Sequence, residues 1–220
     1  LLSLPWAPFN RPSIQLGALK GFLDQQFADL RVVSRHPSLT AAAAIGTDRY
    51  RRISENTWAG EALYSGLLFP ELRDAARRLF QRELPDLGRA TFDDLLPLVD
   101  AHLDTCLEDV LREEFHLVGF SVCFSQLSAS LLAASRLKAR RPDLRVVFGG
   151  SLITPDLARS LPDAFPAVDD CITGEGERPL QALVASLRSE TAVSPARVFA
   201  AKPQVADPAE APKPATIADL

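Results

Sequence analysis

The sequence predicts an α/β fold, a doubly wound parallel sheet interrupted by a helical insert. Three observations lead there. Short apolar runs alternate with helical patterns through the last third of the chain. The run Leu117–Val122 is apolar without alternation, as in a strand buried on both faces. The strand-like runs end in small or polar residues, at Ser121–Gln126, Gly149-Gly150-Ser151 and Gly174-Glu175-Gly176-Glu177.

The elements follow in order. Leu1–Leu4 is a short apolar run ended by Pro5 and reads as a first strand. Pro8, Asn10 and Pro12 mark a loop, and Pro12 suits the first turn of a helix. Ile14, Leu16, Leu19, Phe22, Leu23 and Phe27 then recur at helical spacing. Leu30–Val33 reads as a second strand. From Pro37 to Glu114 the pattern is helical, too long for a simple connection, and reads as an insert. Within it Thr91-x-x-Asp94 is a capping-box start for a stripe of Leu95, Val99, Leu103, Cys106, Leu107 and Val110.

Beyond the insert, Leu127, Leu131, Ala134 and Leu137 form one face of a helix ending at Arg140 and Arg141, where cations suit the helix dipole. Leu144–Phe148 is the next strand. Thr154-Pro155-Asp156 starts a helix, Val168–Thr173 is a strand, and Pro179 opens a helix with Leu180, Leu183, Val184 and Leu187 on one face. The expected organisation is a domain over 1–200 with its insert at 37–114, then a Pro/Ala-rich linker over 201–220.

Composition narrows the function. The 220 residues carry a formal charge of −4 and a pI near 5.4, which argues against a nucleic-acid partner. Three widely spaced cysteines, Cys106, Cys123 and Cys171, fit a reducing compartment, so the expected location is cytoplasmic. The uncharged stretch 117–135 contains Gly119, Gln126 and five serines and divides into strand, loop and helix, so no membrane span is expected. The absence of Met, even at position 1, leads us to expect a piece of a longer protein.

Several chemistries lack their residues. There is no G-x-G-x-x-G after the first strand and no Walker lysine motif. The cysteines and His36, His102 and His116 fall in no metal-ligand spacing, and no nucleophile triad can be assembled. Cys106 and Cys171 read as core. Cys123, at a strand end, is divided between ligand contact and turn packing. Glu175 and Glu177 suit acid–base work or the capping of the helix behind them. What remains is a binding edge: glycine pairs bring backbone close to a ligand, and serines offer hydroxyls.

The run Ser121-x-Cys123, with 25 residues between Cys123 and Gly149-Gly150, resembles the cobalamin-binding modules of methionine synthase, which carry Asp-x-His-x-x-Gly, Ser-x-Leu and Gly-Gly. Two departures stand out. Cys123 replaces the Leu, and the first turn, Ala7–Ser13, has no His. That combination is more similar to the cobalamin-dependent radical SAM enzymes, most of all the C-methyltransferases that mature ribosomally made peptides. The resembling stretches are Pro5-Trp6-Ala7 through Arg11–Gly17, Gly60-Glu61-Ala62-Leu63-Tyr64-Ser65, Val118–Gln126, Phe148–Ser151 and Thr173–Glu177.

The resemblance implies a Rossmann-like, flavodoxin-like fold holding cobalamin (methylcobalamin) base-off and His-off. The implied cofactor-binding residues are Asn10, Arg11, Ser121, Cys123, Phe124, Ser125, Gln126, Gly149, Gly150, Ser151, Gly174, Glu175, Gly176 and Glu177, with no metal ligand and no catalytic residue from this chain. Gly149 and Gly150 are expected to leave room for the nucleotide tail. The resemblance also implies a radical SAM domain as partner, on this chain or a separate one, with S-adenosylmethionine, a [4Fe–4S] cluster and a precursor peptide substrate. The Cys-x-x-x-Cys-x-x-Cys cluster signature is not in these 220 residues, so this stretch is expected to bind cofactor without catalysing. Two other readings stay open: a degenerate interaction domain that holds a peptide or partner without cobalamin, and a small-molecule enzyme with a nucleotide ligand.

Overall fold

The computed structural model describes residues 1–88 and 90–189, and the backbone of 197–200. Its centre is a parallel four-stranded sheet of β1 (Leu117–Ser121), β2 (Arg145–Gly149), β3 (Asp170–Thr173) and β4 (Arg197–Ala200), in that spatial order. The first strand-like run reduces to a single bridge. Leu2 donates to the Gly119 carbonyl (2.8 Å) and accepts from the Ser121 N–H (2.9 Å), and it also bridges Arg35. Pro5 ends this run before a longer ladder can form. The expected strand at Leu30–Val33 is likewise only the bridge at Arg35, just beyond it. β4 was not expected, because Arg-Val-Phe-Ala merges with the Ala/Pro-rich tract behind it. The linker read over 201–220 lies outside the described residues.

Across the sheet the chain therefore runs Arg35, Leu2, β1, β2, β3, β4. This is a doubly wound order, with its reversal between the first segment and β1. Crossover helices cover both faces. α1 (Ile14–Gln26) and α9 (Glu177–Arg188) lie on one side, α7 (Leu127–Arg140) and α8 (Pro155–Ala164) on the other. α1 begins at Ile14 behind its cap Ser13, whose hydroxyl accepts from the Leu16 N–H (3.3 Å), so Pro12 precedes the helix rather than opening it.

Between Ser38 and Leu111 lie α2 (Ser38–Ile45), α3 (Thr47–Ser54), α4 (Thr57–Leu68), a 3₁₀ turn, α5 (Arg73–Glu83) and α6 (Phe92–Leu111). The capping box at Thr91 and Asp94 forms as its spacing dictates, with bonds of 2.9 and 3.2 Å. These helices pack with α7 and α8 into one core that takes Val118, Phe120, Val146, Phe148 and Cys171 from the sheet, with the Phe120 and Phe148 rings 5.1 Å apart. The opposite face builds a smaller core from Val147 and Ile172 with Leu23, Leu180, Leu183 and Val184. Among the described residues no helix is long and apolar enough to cross a membrane.

Candidate functional site

In a doubly wound sheet, ligands bind beyond the carboxyl ends of the strands, where strand order reverses. A cavity of about 430 Å³ opens there, between the sheet, the start of α1 and the start of α9. Half of the fourteen sequence candidates line it: Ser121 from β1, Gly149 and Gly150 from the end of β2, and Gly174–Glu177 from the turn into α9. The rest of the wall is mostly apolar, from Ile14, Leu16 and Leu19 of α1 and from Val147 and Ile172 of the sheet, with Gln15 its one other polar residue among the described residues.

Each polar feature has a local cause. Ser121 ends its strand 8% exposed, and its hydroxyl makes no hydrogen bond among the described residues. Gly174 takes a φ of +73°, which turns the chain sharply from β3 toward α9. α9 starts behind Gly176 with no side-chain cap, so its first N–H groups stay available, while Glu177 complements the positive helix end.

The two adjacent glycines differ. A Cβ on Gly149 would lie 3.6 Å from the Ile172 carbonyl oxygen and 3.7 Å from its Cβ, in ordinary contact. A Cβ on Gly150 would sit 2.5 Å from the Val122 carbonyl oxygen, and the backbone there has a φ of +105°. Gly150 is required by the fold of the turn itself. Its place in the cavity lining follows from that turn.

The other seven candidates lie outside the cavity. Asn10 and Arg11 are exposed in the loop before α1, and Ser151 is exposed after β2. Phe124 is 68% exposed in the turn after β1, Cys123 is half-buried, and Ser125 is buried with a φ of +65°. Gln126 is 1% exposed and fully engaged. Its Oε1 accepts from the Cys123 N–H (2.9 Å), and its Nε2 donates to the Leu4 carbonyl and to Ser3 Oγ. Its amide is used inside the protein, tying the β1–α7 turn to the first segment.

Sequence reasoning missed Gly119 and Ile14. Gly119 sits mid-strand, and a Cβ there would meet a Leu1 methyl at 3.0 Å and a Val147 methyl at 3.4 Å. Its signal was legible, since glycine inside a strand marks a close approach. Ile14, one of the residues that recur at helical spacing, is 81% exposed at the cavity mouth.

A second cavity, about 800 Å³, lies at the opposite edge of the sheet and shares Leu1, Gly119 and Leu180 with the first. Its arginines are already paired: Arg35 with Glu113, Arg188 with Asp29, and Arg145 with the buried Asp170 through bonds of 2.7 and 3.0 Å. The strand-end cavity is the better site, because the Ser121 hydroxyl and the uncapped start of α9 in its wall are unengaged and it lies at the reversal of strand order. None of the three histidines lines it: His116 precedes β1 at the other edge, and His102 of α6 bonds Thr40 Oγ1 (2.9 Å).

β1, the turn after it, the end of β2 and the start of α9 thus form one edge with a glycine-lined cavity beneath it. Residues 89–184 match the model of the B12 binding domain family. The match supports a cobalamin-binding domain. The matched stretch runs from before α6 into α9 and contains every candidate except Asn10 and Arg11. The first segment and α1 complete its fold in space although the insert separates them from β1 in sequence. No curated protein and no solved structure gives a match.

Proposed function

We propose that this domain binds cobalamin base-off and His-off, as methylcobalamin, and serves as the cofactor module of a radical SAM C-methyltransferase acting on a ribosomally made peptide. The observation that carries the cobalamin reading is the strand-end cavity, whose floor lacks side chains at Gly119 and Gly149 and whose walls are mostly apolar. Such a cleft suits a flat aromatic base and a ribose better than a highly charged ligand.

The residues fit the cofactor. Ser121 would donate to a polar atom of the buried tail, which would otherwise lose a hydrogen bond to water. The N–H groups at Gly176 and Glu177 would meet the tail phosphate at the helix end. The edge residues Asn10, Arg11, Phe124 and Ser151 would border the corrin ring. When bound, cobalamin supplies the methyl group that a substrate radical takes. This chain binds and orients it and offers no imidazole from the cavity or from the Ala7–Ser13 turn. The Arg11 guanidinium has no free lone pair, so it would hold the cofactor by donating hydrogen bonds and not by coordinating its metal.

The radical SAM and peptide parts rest on the resemblance of the five stretches quoted above. The cobalamin part is tested by titrating the purified chain with hydroxocobalamin under equilibrium dialysis. One cobalamin retained per chain is expected. No retention would remove the proposal and favour the interaction-domain reading, which peptide binding by the colourless protein would then support.

A further inference from the structure

The stretch Gly60–Ser65 lies on α4, inside the insert and outside the cavity, yet α4 touches both turns that flank the reversal of strand order. On one side, Trp6 Nε1 donates to the Gly60 carbonyl (3.0 Å). A Cβ on Gly60 would sit 2.5 Å from the Trp6 ring, so only glycine admits this approach. On the other side, the Glu61 carboxylate accepts from the Leu127 and Ser128 N–H groups, 2.9 Å each. Those are the first N–H groups of α7, which has no side-chain cap of its own. One turn along α4, Ser65 Oγ lies 2.9 Å from Ser128 Oγ, a side-chain tie between the same two helices that leaves the α7 N–H groups to Glu61.

We infer that Glu61 is a positioning residue for the cofactor site. It anchors the turn Cys123–Gln126 from the insert while Gly60 anchors the Trp6 turn, so a single helix sets the gap between them. A carboxylate at the α7 N-terminus also takes the place an anionic ligand group would occupy in many doubly wound folds. Ligand phosphate is thereby left to the uncapped start of α9. The inference rests on the cobalamin reading for its binding consequence but not for its geometry.

The test compares E61A, E61Q and S65A in the full chain. E61A is expected to weaken hydroxocobalamin binding about tenfold, the effect of losing a helix cap at the site. E61Q, which keeps an acceptor oxygen, is expected to recover part of that loss. S65A removes a bond between the same helices and is expected to hold affinity within about twofold, although it too lowers the melting temperature. Amide exchange at Leu127 and Ser128 is expected to quicken in E61A and not in S65A. Unchanged affinity in E61A, an equal loss in S65A, or unchanged exchange would each overturn the inference. If E61A does not fold, E61Q is read against S65A in the same way. If the unaltered chain takes up no cobalamin, the cofactor reading fails, and the exchange comparison alone decides the positioning claim.

Discussion

The two faces of the sheet are built to different standards. Toward α7, α8 and the insert, Phe120, Phe148, Val146 and Cys171 are sealed at 0–2% exposure in a continuous core. Toward α1 and α9, Val147 and Ile172 join a small core that leaves cavities of about 430 and 800 Å³. Both are clefts open to solvent, while Val147 and Ile172, the sheet residues on that face, stay buried. The two clefts open on that face, and the one at the strand ends lies where a doubly wound sheet takes its ligands.

Neighbouring residues break the comparison most sharply. Phe148→Ala, on the sealed face, is expected to cost about 3–5 kcal/mol, from lost burial and the void left behind. Val147→Ala, one residue away on the open face, removes two methyl groups and is expected to cost about 1–2 kcal/mol. Chemical denaturation reads both losses, and Val146→Ala against Val147→Ala compares the faces atom for atom: a larger loss at Val146 is expected, and equal losses would mean that both faces are equally packed.

The glycine pair sharpens it next. Gly150→Ala is expected to unfold the turn, since its Cβ meets the Val122 backbone at a positive φ. Gly149→Leu is expected to keep a cooperative melt while abolishing cobalamin uptake, because its side chain would fill the cavity. A Gly149→Leu protein that binds normally would show that the ligand does not pass β2. A smaller effect is expected from Ser121→Ala, a loss of about 1–3 kcal/mol in cobalamin binding free energy by dialysis, with the fold intact.

The thiols give the mildest contrast. Burial, aided by Asp170, pushes the Cys171 thiol up to about 12, and burial pushes Cys106 up to about 11. Both stay protonated at neutral pH and are expected to resist iodoacetamide, since the thiolate is the nucleophile. Half-buried Cys123, on the open edge, is expected to react first and to be slowed by bound cobalamin. Peptide mapping by mass spectrometry reads the order of modification.

The sealed half of the molecule was legible because its signals are local. Apolar runs gave β1 to β3, and Thr91 and Thr154 marked their helix starts by side-chain chemistry that the structure repeats. The site was legible only in part. Ser121, Gly149 and the Gly174–Glu177 turn announced themselves as strand ends. The role of Gly150, the engagement of Gln126 and the grip of Glu61 on α7 depend on contacts between residues far apart in sequence, up to 123 positions for Gln126 and Ser3. No periodicity encodes those. β4 and the shortened first strand escaped for a related reason, since single bridges and four-residue strands carry too little pattern to separate from loop.

The central claim is that the open face takes the cobalamin tail and leaves the cobalt without a nitrogen ligand below. Electron paramagnetic resonance of the reduced Co(II) form bound to the chain tests it most directly. The account predicts a spectrum with no nitrogen superhyperfine splitting from an axial base. A clear triplet from one nitrogen would contradict it, and replacing His36, His102 and His116 in turn by Ala would then show whether one of them is the donor.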